Sequence, residues 1–217
     1  MSFTKNLKTY FLFHPVNTIL IGLNLLMLIV TYLFGGFTTA VLLKLGAIFP
    51  PYIIDNQEYH RLILAMFLHG SIIHFLMNNF VLYQLGAYLE RLIGSINYLI
   101  LYMVSGLISS IVITYFGEVM SITIGASGAI YGVMAGLLML TFIRTHWFSD
   151  HQIRNIRQLM ILNVIFTFIV PNISILGHLG GLVAGLLLIL LLSPKRPDYR
   201  NKLTKEKYIN ALNEQNR

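Results

Sequence analysis

Four side chains in this sequence have the types needed for acyl transfer: Ser127, His178, His74 and Asn78. A serine hydroxyl is a weak nucleophile until a base takes its proton, and a neutral histidine is the usual base. Histidine and amide side chains can also donate hydrogen bonds to the oxyanion that forms on the attacked carbonyl. His74 and Asn78 are four residues apart and therefore share one face of a helix. These types and spacings favour a serine nucleophile at Ser127 and a base at His178, with His74 and Asn78 as oxyanion donors.

Several other chemistries are disfavoured by the composition. The chain of 217 residues has no cysteine, which excludes thiol catalysis and thiolate metal sites. It also has no His-Glu-x-x-His motif of the zinc-protease type. No acidic or basic residue lies deep in an apolar run. That absence argues against ion-driven transport and against an aspartyl protease, which needs two buried carboxyl groups. These absences argue against a thiolate or zinc-protease metal site.

The elements that position the four residues are predicted to be membrane-spanning helices. Apolar residues make up 56% of the chain and charged residues 11%, against about 25% charged in soluble domains. A spanning helix needs about 20 mostly apolar residues. Six runs approach this length, near residues 16–34, 72–89, 98–116, 127–143, 159–170 and 176–192. The fifth is short unless it begins near Gln152. The sequence thus predicts an all-α, polytopic bundle of six transmembrane helices in residues 1–193, and a basic cytoplasmic tail at 194–217.

Basic residues set the predicted orientation. With six spans, all 15 lysines and arginines except Lys44 and Arg61 fall on one side of the membrane. They lie at the termini and in the loops after the second and fourth spans. Because basic residues favour the cytoplasmic side, we expect a multi-pass protein of the cell membrane with both termini in the cytoplasm. The net charge of +7 is concentrated at the edges of apolar runs, so the expected partner is the lipid bilayer and not a nucleic acid.

This topology brings the candidate residues to one depth. The second, fourth and sixth spans run from outside to inside, and each has its polar residue near its start. We therefore expect His74, Ser127 and His178 at one level, toward the extracytoplasmic side. Glycines repeat every four residues in the fourth and sixth spans, which lets helix backbones approach closely. These two ridges are Gly128, Gly132 and Gly136, and Gly177, Gly181 and Gly185.

The residues at this level predict a dyad. No carboxylate is available to orient His178, so serine and histidine would act without the aspartate of a Ser-His-Asp triad. Tyr131, one turn after Ser127, could pack against the imidazole. The turn from Gly125 to Gly128 frees backbone N–H groups at a helix start, where the helix dipole favours an anion.

Each residue also has a simpler interpretation. Ser127 could be a helix N-cap, His74 or His178 an interfacial histidine, and Asn78 a polar contact between helices. His69 and His74 could instead be haem or metal ligands, although no further ligands cluster with them. The simpler interpretations require all these features to coincide at one depth, and we therefore favour the catalytic one.

In these residues the sequence resembles the rhomboid family of intramembrane serine proteases, over roughly residues 10–193. The family's Gly-x-Ser-Gly motif is matched by Gly125-Ala126-Ser127-Gly128, and its His-x-x-x-Asn motif by His74 to Asn78. The Ala-His-x-x-Gly motif is matched by Gly177-His178-Leu179-Gly180-Gly181, with glycine in place of alanine. Tyr131 matches a family tyrosine, and Gly86 to Glu90 match Gly-x-x-x-Glu. The family's Trp-Arg pair appears as His60-Arg61, so the arginine is kept and the tryptophan is replaced.

The resemblance implies a serine endopeptidase that cleaves transmembrane segments of other membrane proteins near the extracytoplasmic face. It implies a Ser127–His178 dyad and an oxyanion site at His74 and Asn78, and no cofactor. Supporting roles are implied for Gly125, Gly128, Tyr131 and Gly181. Substrates would enter past the second and fifth spans, beneath a mobile cap at residues 171–175.

Two other functions stay open at this point. A catalytically inactive member of the family would bind transmembrane client proteins, but such members typically lack the serine or the histidine, and both are present here. A small transporter or haem-binding membrane protein would need intramembrane charges or facing histidine pairs.

Overall fold

A computed structural model describes residues 10–170 and 173–198, with the single positions 206, 210, 213 and 214. Most of these residues are helical, and the described part has one isolated antiparallel bridge, between Ile48 and Thr123. The all-α prediction is confirmed. Part of the predicted cap, residues 171–172, lies outside the described residues, as do most of the predicted tail and the N-terminal basic residues Lys5 and Lys8.

A described helix overlaps each of the six predicted apolar runs, although the helix at the fifth run begins well before it. In chain order they are α1 (Pro15–Leu33), α2 (Thr39–Lys44), α3 (Pro50–Ile54), α4 (Arg61–Leu64), α5 (Ile72–Val81), α6 (Ala87–Ile93), α7 (Ser95–Phe116), α8 (Ser127–Ile143), α9 (Asp150–Ile169) and α10 (Ile175–Leu192). A π-helical turn, Leu82–Gly86, joins α5 to α6. Short 3₁₀ turns follow α4 (Ala65–Phe67) and precede α9 (Thr145–Trp147).

Length and apolar composition qualify three of the described helices as membrane spans: α1, α7 and α10. The segments Arg61–Phe67 and Ile72–Ile93 meet at 91° and add a fourth if they form one broken span. Helix α8 is apolar but has only 17 residues. Helix α9 begins earlier than the predicted run because Ser149 and Gln152 form a capping box that starts it in polar sequence.

Helix α8 is the central helix of the bundle, buried along most of its length. A Cβ atom placed on Gly181 of α10 would overlap the carbonyl oxygen of Gly128, and one on Gly185 would overlap that of Gly132. The two glycine ridges are therefore in direct contact, and only hydrogen atoms fit between the backbones. This contact brings the first turns of α8 and α10 together.

Buried polar groups at the other end of the bundle are paired across helices. The Glu90 carboxylate accepts hydrogen bonds from the backbone N–H groups of Val16 (3.1 Å) and Asn17 (2.9 Å) and from the Ser95 hydroxyl (2.6 Å). A carboxylate at a helix N-terminus is favoured by the helix dipole. The Tyr98 hydroxyl donates to the Asn17 side chain at 2.6 Å. Glu90 thus fastens the start of α1 to α6 and α7.

The long connection between α1 and α5 is organised by Arg61, which is 6% exposed. Its guanidinium donates to the carbonyl oxygens of Leu43 (2.7 Å) and Ala47 (3.1 Å) and to the Glu58 carboxylate (2.7 Å). The hydrogen bond from Arg61 lowers the pKa of Glu58 below its ordinary value. The connection is therefore an ordered structure, which matters because it contacts the segment that precedes Ser127.

Replacing Gly181 by alanine should destabilise the bundle by about 1–3 kcal/mol, because the new methyl group overlaps the Gly128 carbonyl and the helices must separate. The apparent midpoint of thermal unfolding in detergent measures the effect. Gly22→Ala is the matched control, since nothing lies within 4 Å of a Cβ atom there. That change in α1 should be neutral or mildly stabilising. Equal midpoints for the two variants would contradict the close backbone contact.

Candidate active site

His74, Asn78, Ser127 and His178 line one cavity of about 1040 Å³. They come from the starts of α5, α8 and α10, the three helices expected to place polar residues at one level. Gly125, Gly128 and Tyr131 line the same cavity. Gly181 does not line the cavity. It lies in the contact between α8 and α10.

The first turn of α5 orients His74. The Ser71 hydroxyl accepts a hydrogen bond from the His74 backbone N–H at 3.1 Å and so caps the N-terminus of α5. The Gly70 N–H approaches His74 Nδ1 at 3.5 Å. A ring nitrogen that accepts a hydrogen bond carries no proton, so the other nitrogen, Nε2, carries it. This contact favours the tautomer of His74 in which Nε2 carries the proton and can donate.

Asn78 offers a second donor. Its side chain is 8% exposed, and its Nδ2 atom has no hydrogen-bond partner among the described residues. A buried amide donor left unpaired costs about 1–3 kcal/mol. A donor on the wall of a cavity is placed to bind water, a ligand or a reacting atom.

The turn before Ser127 lies against both donors. Gly125 has a φ of +123°, a backbone conformation that favours glycine. A Cβ atom at Gly125 would lie 2.9 Å from His74 Nε2 and 3.8 Å from Asn78 Nδ2. The Gly125 N–H donates to the Ala65 carbonyl at 2.8 Å, which ties the turn to the outer connection. A side chain here would overlap the His74 ring, whereas its distance from Asn78 would be an ordinary van der Waals contact.

The backbone of Ser127 precedes the hydrogen-bonding ladder of its helix. The i→i−4 bond of the first turn runs from Ile130 N to the Ala126 carbonyl at 3.0 Å. The N–H of Ser127 is therefore one of the first backbone N–H groups of α8, which have no hydrogen-bond partner within the helix. These groups carry the positive end of the helix dipole.

His178 is held from both sides. Its ring stacks on Tyr131, with ring centroids 4.0 Å apart and an interplanar angle of 17°. Its Nδ1 atom lies 3.0 Å from the hydroxyl oxygen of Thr167 in α9. At the backbone, Ser174 caps the first turn of α10 by accepting from the Gly177 N–H at 3.2 Å. The Ser109 hydroxyl of α7 donates to the Gly177 carbonyl at 2.7 Å, which anchors the same turn.

The glycines that follow Ser127 and precede His178, Gly128 and Gly177, lie against each other. A Cβ atom on Gly128 would lie 3.4 Å from the Gly177 carbonyl oxygen. Within the part of the chain that the structure describes, the Ser127 hydroxyl forms no hydrogen bond with His178 or with another side chain. Catalytic hydrogen bonds are often long without substrate and shorten when it binds.

Sequence reasoning missed Thr167 and Asn163, which stand four residues apart in α9. The Tyr131 hydroxyl donates to the Asn163 carbonyl at 2.6 Å and also contacts the Thr167 hydroxyl. The available signal was a polar pair at helical spacing inside an apolar run. It was weak, because threonine is common in membrane helices and its partner lies in another helix.

The histidine pair considered as a metal or haem site has a different arrangement. His69 is 1% exposed, and its Nδ1 lies 3.2 Å from the Phe67 carbonyl. Its ring meets that of His74 edge to face, with centroids 5.1 Å apart. Over the described ranges, no three His, Asp or Glu side chains are grouped so that they could hold a metal ion.

Comparisons with known proteins agree with the resemblance. The profile of the Rhomboid domain matches residues 56–195, which include all four candidate residues. The Rhomboid protease GluP of Bacillus subtilis is 35% identical over 166 residues, 76% of this chain and 32% of that protein. YdcA, a rhomboid protein of the same organism, is 30% identical over 196 residues, 89% of this chain and 96% of YdcA. RHOMBOID-like protein 6, mitochondrial, of Arabidopsis thaliana is 34% identical over 175 residues, 77% of this chain and 56% of that protein.

The matched region is thus about a third of GluP and nearly the whole of YdcA. The domain profile covers well over half of this chain, and the apolar helices are those of a multi-pass membrane protein. The protein belongs to the rhomboid family, a family of intramembrane proteases.

Proposed function

We propose that this protein is an intramembrane serine endopeptidase that cleaves transmembrane segments of other membrane proteins. The observation that carries the proposal is the cavity in which Ser127, His178, His74 and Asn78 meet. One nucleophile, one base and two donors on the same cavity are the groups that acyl transfer requires. Family membership supports this reaction over transport or haem binding.

In the proposed reaction, the Ser127 hydroxyl attacks the carbonyl carbon of the scissile peptide bond. Nε2 of His178 takes the hydroxyl proton and then gives it to the leaving amine. This releases one fragment of the substrate and leaves the other as an ester on Ser127. Water, deprotonated by His178, then attacks the ester and restores the free serine.

The tetrahedral intermediate carries a negative charge on the former carbonyl oxygen. His74 Nε2–H, Asn78 Nδ2–H and the Ser127 backbone N–H are the proposed donors to it. Among the described residues, Asn78 Nδ2 has no hydrogen-bond partner to give up, and Gly125 lies within reach of both side chains. Donors that are already oriented cost no reorganisation when charge develops, and this is where most of the catalytic effect of such sites arises.

Substrate access is proposed between α5 and α9. Met77 of α5 and Phe166 of α9 both line the cavity, and they are 63% and 56% exposed. These two exposed apolar side chains support an opening of the cavity toward lipid between α5 and α9. A substrate helix arriving from lipid would meet matching side chains, and its upper turns must unwind because a helical peptide bond is shielded.

We propose six membrane crossings with the active site toward the extracytoplasmic side and both termini in the cytoplasm. At about 1.5 Å per residue, α8 is about 25 Å long and α9 about 30 Å. These lengths approach the roughly 30 Å of a bilayer core. Arg144, Arg154 and Arg157 lie between or near the facing ends of α8 and α9, as expected for a cytoplasmic loop.

A fluorophosphonate probe on the purified protein tests the proposed nucleophile. We expect wild-type protein in detergent to form a covalent adduct that mass spectrometry locates at Ser127, and Ser127→Ala to form none. A transmembrane reporter with helix-weakening residues, reconstituted with the protein in liposomes, should be cut by the wild type alone. A folded wild type that neither labels nor cleaves would contradict the proposal and favour a client-binding protein without catalysis.

A further inference from the structure

Thr167 is one of two buried residues of α9, the other being Met160. It is 3% exposed, although most of the helix around it faces outward, as Phe168 (61%) and Ile169 (70%) do. Its hydroxyl oxygen is 3.0 Å from His178 Nδ1 and 3.0 Å from the Asn163 carbonyl oxygen. The one hydroxyl that α9 buries therefore lies on the ring of the proposed base.

The available protons allow one arrangement of these hydrogen bonds in which His178 can act as a base. A threonine hydroxyl has one proton to donate and two lone pairs to accept with. We assign the single proton of Thr167 to the Asn163 carbonyl, which can only accept, because this choice leaves His178 able to act as the base of the proposed reaction. Its lone pairs then accept from His178 Nδ1–H and from the Tyr131 hydroxyl, whose proton is shared with the Asn163 carbonyl. In this arrangement Nδ1 carries the proton and Nε2 has the free electron pair that a general base needs.

We propose that Thr167 is a positioning residue for His178, an inference that rests on the proposed function. By accepting from Nδ1–H, it holds the imidazole in the tautomer whose Nε2 can take the serine proton. It also stabilises the imidazolium that forms after proton transfer. Aspartate does both in a Ser-His-Asp triad, and here a neutral hydroxyl does so where no carboxylate is available.

Three helices cooperate in this arrangement. The ring of His178 in α10 is stacked on Tyr131 of α8 and bonded to Thr167 of α9. Stacking fixes the plane of the ring but leaves open which nitrogen bears the proton. Only the hydrogen bond selects the tautomer, so stacking and hydrogen bonding have separate tasks.

The test compares side chains that differ in the hydroxyl. Thr167→Ser keeps the hydroxyl. Thr167→Val removes it with little change in side-chain size, and Thr167→Ala removes it and makes the side chain smaller. We expect Thr167→Val and Thr167→Ala to lower kcat for the reporter on the order of 10–100-fold, the effect of one hydrogen bond to a charged group. KM should change less than about twofold, because Thr167 acts on the base and not on substrate affinity. Thr167→Ser should stay within about threefold of wild type in kcat.

Thr114→Val is the matched control. Thr114 is also 3% exposed, and its hydroxyl donates to the carbonyl four residues earlier, Ser110, at 2.8 Å. It does not line the cavity. Its substitution removes the same kind of backbone hydrogen bond without touching His178, so kcat should stay within about twofold of wild type.

A second measurement separates base activation from substrate handling. The rate of fluorophosphonate labelling at Ser127 should fall in Thr167→Val and Thr167→Ala by a factor similar to the fall in kcat, and it should recover in Thr167→Ser. Wild-type kcat and labelling in Thr167→Val and Thr167→Ala would overturn the role of Thr167 while leaving the proposed function intact. Equal losses in Thr167→Ser and Thr167→Ala would overturn it too, since they would point to lost packing. An inactive, unlabelled wild type would instead overturn the proposed function and this inference with it.

Discussion

Ser127→Ala and His178→Ala should each lower the rate of reporter cleavage by a factor on the order of 10⁴–10⁶. Nucleophile and base act as one unit, because the hydroxyl attacks only as its proton leaves. Removing either group leaves the oxyanion donors and substrate binding, which alone give a small residual rate. The measurement is the initial cleavage rate of a transmembrane reporter in liposomes, per mole of folded protein.

The double variant gives an independent check. If the two residues form a dyad, Ser127→Ala combined with His178→Ala should be about as slow as either single variant, since each change already abolishes the same step. Rate losses that multiply would show two groups acting separately. The dyad would then be the wrong description of this site.

Ser121→Ala is the appropriate serine control. Ser121 lines the same cavity, and its hydroxyl donates to the Glu118 carbonyl of its own turn at 2.7 Å. We expect its alanine variant to cleave at the wild-type rate. Ser71, another serine outside the motif, is unsuitable because its hydroxyl caps α5 and orients His74. A loss at Ser121 comparable to that at Ser127 would indicate damage to the fold.

The helices were predictable because the bilayer imposes one simple pattern. Lipid requires long apolar runs whose backbone groups bond within the segment, and such runs are visible without a partner. The start of α9 at Asp150 was harder to predict. Its first turns are polar, and the capping box at Ser149 and Gln152 outweighs their low hydropathy.

The site was predictable as far as its residues repeat a local pattern. His74 and Asn78 share a helix face, and the glycine ridges indicate which helices can approach. Thr167 and Asn163 also share a helix face, but the role of Thr167 depends on a histidine eleven residues away in the next helix. The same applies to Arg61, whose carbonyl partners, Leu43 and Ala47, are defined by the path of an irregular connection.

His74→Ala and Asn78→Ala should each lower kcat by roughly 10²–10³, with a much smaller change in KM. Each donor acts mainly on the oxyanion, which exists only near the transition state, so its loss affects the rate more than substrate affinity. Asn78 is the more informative position, since its Nδ2 has no partner within the described residues and its removal breaks no hydrogen bond of the fold. Steady-state cleavage over a range of reporter concentrations in liposomes gives both constants.

Asn79→Ala is the matched control for Asn78→Ala. The two asparagines are adjacent and each is 8% exposed, but the side-chain oxygen of Asn79 accepts from Asn24 of α1 at 2.9 Å. Its loss should lower the unfolding midpoint, because a buried pair between helices is broken, and leave kcat per folded molecule unchanged. Asn78→Ala should instead leave the unfolding midpoint unchanged and lower kcat. Were Asn78→Ala to cost stability and leave kcat within about twofold, its amide would be a helix contact, and the oxyanion would depend on His74 and the Ser127 backbone N–H.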